Sequence, residues 1–143
     1  MEKAMNVAKY VVTKCVRDGV PITNLQLQKI LYFIQCEFLK KTREPLFAEN
    51  FEAWKLGPVI PEVYYAFCGY GAMKISREYK FDAIAEEKQK LLDQKIDELR
   101  KLSASQLVSR SHEKGKAWSR VYGEHGEGLR GKITLEILKT YGC

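Results

Sequence analysis

Residues 24–41, "NLQLQKILYFIQCEFLKK", restrict the possible folds more than any other stretch of this chain. Leu25, Leu27, Ile30, Leu31, Tyr32, Phe33, Ile34, Phe38 and Leu39 recur at helical spacing and cover most of the circumference. A helix apolar on nearly every side must be surrounded, so this one belongs in the middle of a bundle. Its start is marked twice. Thr23 with Gln26 forms a capping box, and Ile22 with Leu27 forms a hydrophobic staple across it. The expected fold is therefore mainly α: a compact helical domain around a central buried helix, with a small β hairpin or extended element.

The flanking segments supply that surround. Ala4, Ala8, Val11 and Cys15 give residues 2–18 an amphipathic helical stripe, closed by Asp18–Gly19 and Pro21. After residue 41 the helical period is lost, and Phe47, Phe51, Ala53 and Lys55 alternate as in a short strand. Gly57–Pro58 predicts a sharp change of direction. Pro61, with Glu62 beside it, opens a helix over 61–68. "KISREYKF", residues 74–81, is a second extended piece expected to pair with the first. Asp82 is expected to cap a long helix ending near Leu102, with Ile84, Leu91, Leu92, Ile96 and Leu99 on its apolar side. Ser103 and Gln106 make another capping box, and Thr134 caps a last helix that Gly142 ends. With 143 residues, no repeat and no low-complexity linker, the reading is one domain, 1–143.

Most chemistry is excluded or weak. No apolar run approaches the roughly 20 residues of a membrane span, and the N-terminus lacks a signal-peptide layout, so a cytoplasmic location is expected. Cys15, Cys36, Cys68 and Cys143 are too far apart for a C-x-x-C motif; Cys15 and Cys36 read as small buried hydrophobes. With only His112 and His125 available, no metal site and no cofactor are expected. "GEGLRGKI", residues 126–133, has the spacing of a phosphate-binding loop. Ile133 stands where a magnesium-binding hydroxyl is needed, though, and eleven residues after Lys132 cannot build the remaining sheet. His112 lies between Ser111 and Glu113, but adjacency in sequence does not bring a base to a nucleophile. It reads as a structural histidine that bonds a backbone group or packs on Trp118. A hydrolase using His112 remains the enzymatic alternative.

Charge is uneven: residues 100–143 carry nine basic and four acidic side chains. This basic C-terminal third suits a solvated face, an acidic protein or nucleic acid. The stretch "FEAWKLGPVIPEVY", residues 51–64, is dense in aromatic and backbone-fixing residues. One reading makes Trp54 a core residue that clamps the extended segment to the central helix. The other makes the turn rim, with Tyr64, Tyr65 and Tyr70, a docking patch.

Three blocks in this order carry a resemblance: "ITNLQLQKILYFIQ" (22–35), "PLFAENFEAWKLGPVIPEVY" (45–64) and "LVSRSHEKGKAW" (107–118). Together they resemble the Panacea domain, the SocA-like antitoxin family often described as phage-associated proteins. The resemblance covers roughly residues 5–141. The motif positions carried by identity are Leu27, Gln28, Lys29, Tyr32, Phe33, Phe51, Trp54, Gly57, Pro58, Val59, Pro61, Tyr64, His112 and Trp118. Ala117 departs from the proline usual there.

The resemblance implies a mainly helical domain with a small β element. It also implies a non-enzymatic antitoxin that neutralises a cognate toxin by direct protein–protein binding. Alternatives are a proteolytic adaptor presenting the toxin to a protease, and a nucleic-acid-binding regulator using the basic C-terminal third. Many relatives carry an added DNA-binding domain for which this chain has no room, so DNA is not the expected partner. The expected form is a monomer or homodimer. Since the motif residues describe a scaffold, partner contacts are expected at exposed neighbours: Lys55, Glu62, Tyr65 and Tyr70.

Overall fold

The computed structural model describes residues 1–125 and 130–143. The elements run α1 (Ala4–Arg17), α2 (Asn24–Thr42), β1 (Phe51–Trp54), β2 (Gly57–Val59), α3 (Pro61–Phe67) and a 3-10 turn (Cys68–Tyr70). Then come α4 (Glu86–Leu99), α5 (Ala104–Ser111), α6 (Ala117–His125), β3 (Lys132–Ile133) and α7 (Leu135–Tyr141). The fold is mainly α with a small antiparallel sheet. Half of the glycine-rich stretch of residues 126–133, Gly126 to Leu129, lies outside the described residues.

Helix α2 is the centre. Leu27, Ile30, Leu31, Tyr32 and Ile34 are fully buried, with α1, α3, α4, α5, α7 and β2 packed around the helix. The capping box forms as the sequence requires: Thr23 accepts from the Gln26 backbone N–H, and the Gln26 side chain accepts from the Thr23 N–H. The same reciprocal pair forms at Ser103 and Gln106, and Thr134 caps α7 through the N–H of Ile137.

The buried polar residues of α2 hold the non-helical chain in place. Gln35 accepts from the N–H groups of Leu46 and Phe47 and donates to the carbonyl of Phe47 at 2.7 Å. Gln28 accepts from the Ile60 N–H at 3.0 Å. Lys29 donates to the carbonyl of Pro58 at 3.0 Å. Irregular backbone carries groups that no helix ladder satisfies, and burying them unpaired is costly. The central helix supplies the partners from within the core.

Three expectations are corrected. The strand over residues 51–54 pairs with β2 on one side and β3 on the other, in the order β2–β1–β3. "KISREYKF" forms no strand of this sheet; Lys74 makes only a single bridge to Thr23, and Ile75 donates to the carbonyl of Ile22 at 2.7 Å. Its Ile75 and Tyr79 are drawn into the helical core instead. Second, α4 starts at Glu86 after Ala85, which provides no side-chain cap. Asp82 is held earlier, its backbone exchanging hydrogen bonds with the Asn6 side chain. Third, Cys15 is a buried hydrophobe but Cys36 is not simply that: it is joined to Cys143 by a disulfide across a sequence separation of 107. Nothing in the spacing reveals this pair, because proximity depends on how α7 returns to α2.

Candidate partner-binding surface

The sheet is small, and its hairpin defines the surface. Trp54 pairs with Gly57, so the reversal occurs at Lys55 and Leu56. The predicted bend at Gly57–Pro58 thus falls two residues late: these residues open β2. Pro58 is tolerated because β2 is an edge strand. The reversal projects Lys55 and Leu56 into solvent, and Leu56 keeps 54% of its surface exposed. Pro61 begins α3 immediately afterwards and turns Tyr64 and Tyr65 back toward the hairpin.

Trp54 is the centre of this surface, and it is half-buried rather than core. Its ring meets Tyr64 at 5.0 Å and Tyr65 at 6.2 Å between centroids, and the two tyrosines meet edge-on at 5.4 Å. The guanidinium of Arg130 lies 4.0 Å over its face. Its indole N–H donates to the Glu52 carboxylate at 2.9 Å. The residue that clamps the sheet to the central helix is Trp118, which is 6% exposed. The Trp118 backbone N–H donates to the Tyr32 hydroxyl at 3.1 Å, and its indole N–H donates to the Trp54 carbonyl at 2.8 Å. The clamp expected at Trp54 therefore belongs to Trp118. Two tryptophans of equal apolar area cannot be ranked for burial by local pattern. Trp54→Ala should accordingly cost only about 1–2 kcal/mol in a urea melt, below the ~3–5 kcal/mol of a fully buried aromatic. A loss in the larger range would place Trp54 in the core.

Of the four candidates expected to be exposed, Tyr65 is 57% exposed and joins the Trp54 cluster. Lys55 is on the adjacent reversal, and Glu62 is exposed on the first turn of α3. Tyr70 turns elsewhere: its hydroxyl pairs with that of Tyr79 at 2.7 Å, and it packs against the core. The contacts of the structure thus link Tyr65 to the hairpin and Tyr70 to the 74–81 segment. Leu56 was not singled out in the sequence, because a lone leucine in a turn has no distinguishing pattern.

Beneath the hairpin lies a buried polar cluster. Lys29 is fully buried, and removal from water pushes its ammonium down to about 7. Gly57 packs directly on it, and the Ser111 hydroxyl, which donates to the carbonyl of Val108, lies beside the same glycine. His112 stacks on Trp118 at 3.8 Å, as expected for a packing histidine. Burial first, and the charge of Lys29 second, hold its imidazolium below the ordinary range. Its Nε2 is buried and has no hydrogen-bond partner among the described residues. Lys29, Ser111 and His112 line none of the described cavities. Among the described residues, no three His, Cys, Asp or Glu side chains gather in a way that could hold a metal ion. No helix among them is long and apolar enough to cross a membrane.

Residues 27–119 match the family model described as Antitoxin SocA-like, Panacea domain. The chain is also 34% identical over 150 residues to Antitoxin SocA of Caulobacter vibrioides (strain NA1000 / CB15N), an alignment covering 95% of this chain and 80% of that protein. It belongs to the SocA-like, Panacea domain antitoxin family, and this membership supports an antitoxin role. No solved structure matches it.

The motif residues now have physical roles. Gln28 and Lys29 bind the backbone of β2 and its exit, Tyr32 and Trp118 anchor the sheet, and Gly57 leaves room for Lys29.

Proposed function

We propose that this protein neutralises a cognate protein toxin by direct binding, through the surface built from Leu56 and Tyr65 around Trp54, with Lys55 and Glu62 at its margin. Tyr70, whose hydroxyl pairs with that of Tyr79, is left out of this surface. One observation carries the reading: Leu56 of the reversal and Tyr65, which meets the half-buried Trp54, both expose apolar or aromatic area on a hairpin fixed to the central helix. Binding energy concentrates where an aromatic anchor sits on rigid support. Tyrosine adds contact area with little loss of side-chain freedom. The activity requires no catalysis, and the protein acts as a monomer or homodimer in the cytoplasm. Thiols there are kept reduced, so Cys36 and Cys143 would stand as a pair that links on oxidation.

Co-expression with the toxin encoded beside it, scored as growth and by co-purification, tests the proposal. Tyr65→Ala combined with Leu56→Asp should abolish rescue and lower toxin affinity at least about tenfold. Its melting temperature should stay within a few degrees of the parent, because both side chains are largely exposed. Retained rescue by this variant, with loss on reversing Lys114 and Arg120, would move the interface to the basic surface of the C-terminal third. Binding to DNA that falls steeply with salt, without toxin capture, would replace the proposal with a nucleic-acid regulator.

A further inference from the structure

A cavity of about 860 Å³ opens between α2 and α7 and shares no residue with the hairpin surface. Its floor is apolar: Phe33, Leu39, Leu138 and the Cys36–Cys143 disulfide. Its rim is cationic. Lys40, Arg43, Lys95, Lys116 and Lys139 line it against one side-chain carboxylate, Glu37. Cations are in clear excess.

Part of this charge has a local explanation. Lys40 and Lys139 lie in the last turns of α2 and α7, where cations complement the helix ends. Lys95 is paired with Glu37 at 3.8 Å and with Glu98 at 3.3 Å, and Lys116 with Glu113 at 4.0 Å. Arg43, the C-cap of α2 at φ 65°, complements the same helix end and adds its charge to the rim. The helix ends do not explain why α2, α4, α7 and Lys116 direct cations to one concavity. Among the described residues, Lys40, Arg43 and Lys139 have no carboxylate within ion-pair distance.

We infer that this groove binds an acidic peptide segment of a protein partner, with an apolar side chain on the floor and carboxylates against the rim. Charge complementarity selects an anionic occupant. The apolar side chains of this half-open groove favour a peptide over nucleic acid, whose phosphates would leave them unused.

Fluorescence anisotropy tests this on the full chain with a short labelled peptide alternating glutamate with leucine. The parent protein should bind it, and more weakly as salt rises. Lys40→Glu/Arg43→Glu/Lys139→Glu should weaken binding at least about tenfold, and the charge-neutral Gln triple variant by a smaller factor. Lys101→Glu, outside the groove, should bind like the parent. A peptide with serine in place of leucine should bind more weakly, because the floor is then empty. Several outcomes would overturn the inference. They are no binding by the parent, equal binding by both triple variants, equal affinity for the serine peptide, and a single-stranded oligonucleotide of the same charge that binds as tightly.

Discussion

Gly57→Ala is expected to lower the unfolding free energy by about 3–5 kcal/mol, combining backbone strain with overpacking. Gly57 has φ 113°, a conformation that side-chain-bearing residues rarely adopt. A Cβ there would stand 2.5 Å from Cε of Lys29 and 2.7 Å from Oγ of Ser111. Lys29 cannot easily move aside, because it is fully buried and its ammonium is fixed on the Pro58 carbonyl. The hairpin must therefore shift or that hydrogen bond must break. Either outcome displaces Leu56 and Trp54, so toxin neutralisation should fall with stability. Adding Ser111→Ala removes one of the two collisions, and the pair should be less destabilised than the single effects combined. A Gly57→Ala variant that unfolds within about 1 kcal/mol of the parent would show that the hairpin does not pack on the lysine as described.

The second large effect is a pH dependence that originates at Lys29. Burial lowers its pKa from 10.5 to about 7. Between these values the unfolded chain binds the proton and the folded one does not. Stability must therefore rise with pH across that window, at about 1.4 kcal/mol per pH unit. The whole span corresponds to something on the order of 5 kcal/mol. Other groups act outside its lower part. His112 has its pKa lowered from 6.5, so most of its contribution lies below pH 7. Cys15 has its thiol raised from 9.0 by burial, and Tyr10 and Tyr32 have their hydroxyls raised from 10.0; these remove stability at higher pH. Urea melts between pH 7 and 8.5 thus isolate the lysine. The parent should gain about 1–2 kcal/mol across that interval, and Lys29→Met should show no gain. Equal slopes in both proteins would mean that Lys29 is solvated or paired with an anion in the folded state.

A buried lysine at a motif position raises the question of catalysis. Its near-neutral amine resembles that of a general base, but none of the described cavities reaches it. Its recorded hydrogen bond is to backbone. The geometry assigns it to holding β2 on α2, which keeps the proposed binding surface rigid.

The sequence by itself determined the centre of the molecule. An all-round apolar helix opened by a capping box is a local signal backed by a strong demand for burial, and both capping boxes form where the spacing places them. The mainly α class followed from the same periodicities. Tertiary structure decided the rest, wherever two segments compete for one partner. Both 74–81 and 132–133 could have paired with β1. The second does so because α6 and α7 bring it alongside, while Ile75 and Tyr79 of the first are taken up by the core. Trp54 and Trp118 offered equal area, and only Trp118 could reach both the Tyr32 hydroxyl and the Trp54 carbonyl. The pairing of Cys36 with Cys143 and the cationic groove above it likewise depend on the return of α7 to α2. Periodicity reports which face a segment must bury. It does not report which neighbour will cover that face, because that choice is made by the packing of the whole chain.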